Sequence, residues 1–96
     1  MAGNRIMHRI RINVKGKVQG VGYRAFVQKS VSLTGAYGYV TNLADGSVEI
    51  VAEGNEAQLA DVLVKAKAGS PYSEVTDMSV TDEVPTGEFS SFEIRY

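Results

Sequence analysis

The stretch GKVQGVGYR, Gly16 to Arg24, holds three glycines, one glutamine and two cations, and it joins two unlike patterns. Before it, IMHRIRINV places Ile6, His8, Ile10, Ile12 and Val14 on one face and Met7, Arg9, Arg11 and Asn13 on the other. That alternation is a half-buried strand. After it, YRAFVQKSVSLT spaces Tyr23, Phe26, Val27, Val31 and Thr34 along one side of a helix, and Gly35 is placed to stop it. Glycine loses the most freedom on ordering. Three of them between Gly16 and Gly22 therefore mark tight backbone geometry, or something that must approach the main chain closely.

Working outward, AYGYVTNL reads as a second strand and SVEIVAE as a third, with ADG (Ala44 to Gly46) turning between them. Asn55 can cap a second helix, with Gln58 three residues on to close a capping box. Ala57, Ala60, Leu63 and Val64 are its expected apolar face, and Gly69-Ser70-Pro71 ends it. EVTDMSV and SFEIRY supply the last strands, with Phe92, Ile94 and Tyr96 sharing a face. DEVPTGEFS between them is the expected mobile loop. The order is βαββαβ with a short extra C-terminal strand, an α+β class. Two split βαβ units around a hairpin give a ferredoxin-like sandwich: an antiparallel sheet with two helices on one face. Right-handed crossovers make the first two strands run in the same direction. The loop after Val14 and the end of the second strand near Asn42 then emerge at one end of the sheet, which brings Arg24 and Asn42 together.

Ninety-six residues predict one domain, 1–96, and the 44% hydrophobic content predicts a folded one. The absence of cysteine excludes disulfides and thiolate metal sites. MAGNRIMHRIR lacks the apolar core of a leader peptide, and no apolar run reaches membrane-span length, so the cytoplasm is the expected compartment. The net charge of −1 hides an asymmetry. Arg5, Arg9, Arg11, Lys15, Lys17, Arg24 and Lys29 all precede the first acid, Asp45. Either folding interleaves the two halves, or a positive field surrounds the opening loop and suits an anion.

A glycine-rich turn between strand and helix can point several backbone N–H groups into one concavity, where the helix dipole adds its positive end. Arg24, in the first helical turn, adds a planar fork of donors for a phosphoryl group. A plain connection with Arg24 solvated remains the alternative. The loop lacks the Gly-Lys-Ser/Thr ending of a Walker A motif, and GVGYRA lacks the third glycine of a dinucleotide fingerprint.

VKGKVQGVGYR (Val14 to Arg24) resembles the first signature of the acylphosphatase family, and GYVTNLADGSVEIVAEG (Gly38 to Gly54) resembles the second, in the same order and spacing. The capped second helix, GSPYSEV and the phenylalanine of the final strand extend the likeness along nearly the whole chain. Tyr23 stands where Phe or Met is common, and Thr41 where a longer or basic residue, or alanine, precedes the asparagine. The resemblance implies hydrolysis of small-molecule acyl phosphates with no metal and no cofactor. It implies that Arg24 and the loop backbone hold the phosphoryl oxygens, across Gly16, Lys17, Val18, Gln19, Gly20, Val21 and Gly22. It implies that Asn42 positions the attacking water through its side-chain amide. Inorganic phosphate, the product, is expected to compete with substrate, and a monomer is expected. Read without the resemblance, Asn42 could simply start the turn.

Other assignments are weaker. His8, the only histidine, is expected to be partly buried on the apolar face of the first strand, with no second His or Cys to hold a metal. Met7, Met78 and the final aromatics are expected to pack, and the acids of the second half to form a solvated face. RNA-recognition domains share this element order, and YGYV (Tyr37 to Val40) is similar to their aromatic sheet motif. The preceding basic residue is missing, however, Asn42 replaces an aromatic, and the strand is the second instead of the third. A pI near 5.7 also disfavours nucleic acid. The remaining alternative is a non-catalytic regulatory module, such as the acylphosphatase-type domain of carbamoyl-transfer enzymes. The chain ends at Tyr96 without zinc-finger cysteines, which favours the free-standing enzyme.

Overall fold

A computed structural model describes residues 6–96; Met1 to Arg5, which enter the leader-peptide and basic-half readings, lie outside the described residues. The elements are β1 (His8–Lys17), α1 (Tyr23–Ser32), β2 (Tyr37–Asn42), β3 (Val48–Gly54), α2 (Glu56–Ala68), β4 (Glu74–Glu83) and β5 (Phe92–Arg95). The sheet order is β4-β1-β3-β2-β5. β3 pairs antiparallel with both β1 and β2, so the first two strands run the same way, with β3 between them. β4 is antiparallel to β1, whereas β5 runs parallel to β2 and makes the sheet mixed. The reversal follows from direction: β4 runs opposite to β2, and the chain must cross the sheet and turn back before β5 can begin.

One sheet face carries the core. Ile10, Ile12 and Val14 of β1 lie opposite Ala52, Ile50 and Val48 of β3. Together with Val40 they pack against Val27 and Val31 of α1 and Leu59, Val62 and Ala66 of α2. The α2 face therefore differs from the expected one: Ala57, Ala60 and Val64 are exposed and Leu63 is half-buried. An alanine-rich helix offers two stripes of similar contrast, and Leu59 with Val62 carries more apolar area than the alanines do. The capping box forms as expected. Gln58 N donates to Asn55 Oδ1 at 2.8 Å, and Asn55 N donates to Gln58 Oε1 at 2.9 Å.

The other face holds a buried polar network where a solvated acidic surface is expected. Glu53 is only 1% exposed. Its carboxylate accepts from the backbone N–H groups of Thr86 (2.8 Å) and Gly87 (3.0 Å) and from Arg9 Nη1 (3.0 Å). The segment expected to be mobile, Asp82 to Ser90, is thus strapped across the sheet. Phe89 stacks edge-on against Tyr39 with ring centroids 6.0 Å apart, and Arg9 lies over the Phe89 ring. Burial alone would raise the Glu53 pKa; the Thr86 amide, Arg9 and the Gly87 amide outweigh it and hold the pKa below the ordinary value.

Candidate active site

β1 continues beyond Val14 to Lys17, with a register shift against β4 between Lys15 and Gly16. Gly16 has φ of +125°, and a Cβ there would lie 2.1 Å from the carbonyl oxygen of Glu74. Its glycine is required by the neighbouring strand. Lys17 pairs with Glu74. The irregular segment is therefore Val18 to Gly22. Gly20 and Gly22 have φ of +72° and +76° with nothing within 4 Å of a built Cβ, so backbone hand, and not space, selects glycine there.

This segment leaves its donors free. Among the described residues, none of the backbone N–H groups from Val18 to Ala25 donates to a protein acceptor; the helical ladder begins with Phe26 N to Gly22 O at 3.0 Å. Gly22 caps α1 without a side-chain bond, and the first turn has no acidic residue. A cavity of about 160 Å³ opens here, lined by Val18, Gly20, Gly22, Tyr23, Arg24, Ala25, Ile94 and Tyr96. Arg24 makes no ion pair among the described residues. Its guanidinium lies 4.7 Å from the Tyr96 ring and reaches Arg95 O at a long 3.4 Å. Free backbone amides at a helix start, an arginine without an ion pair among the described residues and a small cavity are an arrangement that can receive a compact anion.

Three side chains anchor the loop to its surroundings. Ser70 Oγ donates to Val21 O at 3.0 Å. Tyr23 OH donates to Ala66 O at 2.7 Å, and burial pushes its phenol pKa up, which keeps the proton on the donor. Gln19 Nε2 donates to Leu43 O and Ser47 O, both at 2.8 Å.

Asn42 ends β2 opposite Val48. By strand alternation it shares the helix-side face with Val40, and Val40 lies beside Ile94, which lines the cavity. Asn42 Oδ1 is buried and has no hydrogen-bond partner among the described residues. A buried acceptor left unpaired is costly, and such groups collect where a ligand or water completes them.

Two cations of the basic first half are drawn away from the loop. Arg9 pairs with Glu53, Glu83 and Glu88, and Arg11 with Glu49 and Glu83, on the sheet face remote from the helices. Interleaving of the two halves is the correct alternative for these two residues. His8 is exposed at the start of β1, not partly buried, because the helix-side cover begins only at Ile10. Among the described residues, no group of three His, Cys, Asp or Glu side chains is placed to hold a metal. No helix is long and apolar enough to cross a membrane. Sequence reasoning missed Ile94, Tyr96 and Ser70 as neighbours of the loop. The parallel placement of β5 beside β2 brings in the first two, and no local pattern announces it.

The fold defines an α+β sandwich with an open strand-to-helix loop at one end of its sheet. The acylphosphatase family's sequence profile matches residues 10–94, and the chain belongs to that family. An acylphosphatase of Bacillus subtilis (strain 168) is 46% identical over 90 residues, covering 94% of this chain and 99% of the relative. The crystal structure of acylphosphatase from Bacillus subtilis superposes with a TM-score of 0.89 at 44% identity, covering 95% of this chain and all of the other. The crystal structure of T. kodakarensis HypF gives a TM-score of 0.81 at 29% identity, but the match covers 93% of this chain and only 12% of that one.

Proposed function

We propose that this chain is an acylphosphatase, hydrolysing the carboxyl–phosphate bond of acyl phosphates to a carboxylate and inorganic phosphate. The observation that carries the reading is the unbroken run of backbone N–H groups from Val18 to Ala25 that have no acceptor among the described residues, around Arg24, which makes no ion pair among them. In this reading the N–H groups of Val18 to Gly22 and the Arg24 fork hold the phosphoryl oxygens; Gly16 and Lys17 support them from the strand. The developing charge is met by donors already in place, which is the main demand of phosphoryl transfer. Asn42 Oδ1, a buried acceptor without a partner, accepts a hydrogen bond from water and turns its lone pair toward phosphorus. The water oxygen bonds to phosphorus as the bond to the acyl oxygen breaks; the carboxylate departs, and the water's proton ends on phosphate. A carboxylate is a good leaving group, so no strong general base is required.

The whole chain works as one domain, a cytoplasmic monomer in this reading, with phosphate as product and competitive inhibitor. No metal or cofactor takes part. The test is turnover of benzoyl phosphate by purified protein during exhaustive chelation. Hydrolysis well above the uncatalysed rate, undiminished by EDTA and inhibited competitively by phosphate, is expected. A rate equal to background, or one restored only by added Mg²⁺ or Zn²⁺, overturns the reading.

A further inference from the structure

Two parts of the proposed site sit on separate elements, the anion loop between β1 and α1 and the water-holding Asn42 at the end of β2. We infer that the Gln19 side chain is the positioning residue that sets one against the other. Its amide nitrogen spends both protons on the turn that follows Asn42, donating to Leu43 O and to Ser47 O at 2.8 Å each. The other side chain that reaches the turn from β1, Asn13, donates from Nδ2 to Ser47 Oγ at 3.0 Å and does not involve the loop.

The turn does not need Gln19 for its own closure. Leu43 N donates to Ser47 O at 2.9 Å, and Gly46 N donates to Leu43 O at 3.2 Å, so both carbonyls keep a partner without it. Asp45 closes the turn further by accepting from Ser47 N at 2.9 Å and from Ser47 Oγ. The two extra bonds therefore tie the loop to the turn and are not what folds it. Leu43 is the residue after Asn42, so Gln19 holds the peptide unit next to the one that joins Asn42 to Leu43. Reactions by in-line attack are sensitive to small shifts in position, and misplacement of about 1 Å can cost about a hundredfold.

This inference rests on the water-positioning role proposed for Asn42, and the experiment keeps the two apart. Gln19→Met keeps the length of the side chain and removes both donors; Gln19→Ala serves as the second variant should Met perturb packing. We expect the Met variant to bind inorganic phosphate within about threefold of the parent, with KM little changed and kcat lower by about ten- to a hundredfold. In the Asn42→Ala background the same substitution should change kcat by less than about twofold, because the group it acts through is gone. The Asn42 side-chain amide resonance should shift in Gln19→Met, while the amides of Gly20 to Arg24 still respond to phosphate. Undiminished kcat in both Gln19 variants overturns the inference. So does a loss that persists in full without Asn42, or a loss of phosphate affinity matching the loss of kcat. If Asn42→Ala itself keeps its turnover, the water-positioning reading fails; the bridge is then judged by the resonance alone, sustained if it moves and overturned if it does not.

Discussion

The two helices of this chain begin in opposite ways. α2 is closed by its own residues: Asn55 and Gln58 exchange hydrogen bonds, and Glu56 sits in the first turn against the dipole. α1 begins at Gly22 with no side-chain cap and no acid. A cap contributes about 1 kcal/mol, so α1 forgoes a stabilisation that α2 collects. The strap across the far sheet face is a third case, in which Thr86 and Gly87 donate to a buried internal carboxylate, Glu53. Of these three sets of backbone donors, two are answered by a side chain and one has no partner among the described residues. The open one carries Arg24 and shares its cavity with Ile94, the neighbour of Val40 on the strand that ends in Asn42. The contrast is what supports placing the proposed anion site at the open helix start.

Breaking the open end should have the largest effect. Arg24→Ala should lower turnover by about a thousandfold, the upper range for losing one preorganised donor, and weaken phosphate binding with it. Arg24→Lys should recover little, because an ammonium lacks the planar fork. Turnover with benzoyl phosphate and phosphate calorimetry measure both, and a fully active lysine variant would contradict the bidentate role.

Removing the internal anion should strike stability instead. Glu53→Gln leaves Arg9 without its buried partner and should cost about 3 kcal/mol in urea unfolding. The sign of the pH effect follows from its depressed pKa. The stability Glu53 supplies is complete above the ordinary carboxylate value of 4.5 and is lost as pH falls through and below it. Glu83, held low by Arg11 and Arg9, acts in the same direction. The acid limb of the parent's stability curve should therefore be steeper than that of Glu53→Gln; coincident limbs would remove Glu53 from the account.

A smaller effect sharpens the division of labour within the open site. Asn42→Ala should reduce turnover by about a hundredfold while binding phosphate within a few-fold of the parent, since the interaction it removes matters in the transition state. Loss of phosphate affinity equal to that of Arg24→Ala would place Asn42 in the cradle instead. The smallest effect belongs to the closed helix start. Asn55→Ala should cost about 1 kcal/mol and leave phosphate affinity unchanged. A change in that affinity would show that the two helix starts are coupled.

The sequence made the local elements more legible than the long-range contacts that support them. Alternation through Val14, the helical spacing after Tyr23 and the Asn55 capping box are local signals, and local physics honours them. Arg24 and Asn42 could be brought to one end of the sheet because crossover handedness leaves few alternatives. Gly16 was indistinguishable from Gly20 in the sequence, since a glycine required by strand approach looks the same as one required by a turn. Glu53 looked solvated because its partners, Arg9 and the amides of Thr86 and Gly87, are more than thirty positions away. The Leu59–Val62–Ala66 face was hidden by alanines, and the parallel docking of β5 is set by a strap whose anchor is that same glutamate.

The unanswered amides of α1 have a consequence for how this protein's robustness must be measured. A ligand that binds only the folded chain stabilises it by mass action, by about 2.7 kcal/mol when present at a hundred times its dissociation constant. Any small tetrahedral oxyanion that settles among the Val18–Ala25 donors will do this, whatever its relevance to catalysis. Melting temperatures recorded in phosphate or sulfate buffer will therefore sit above those in chloride at equal ionic strength. The choice of buffer becomes a variable of the folding equilibrium itself.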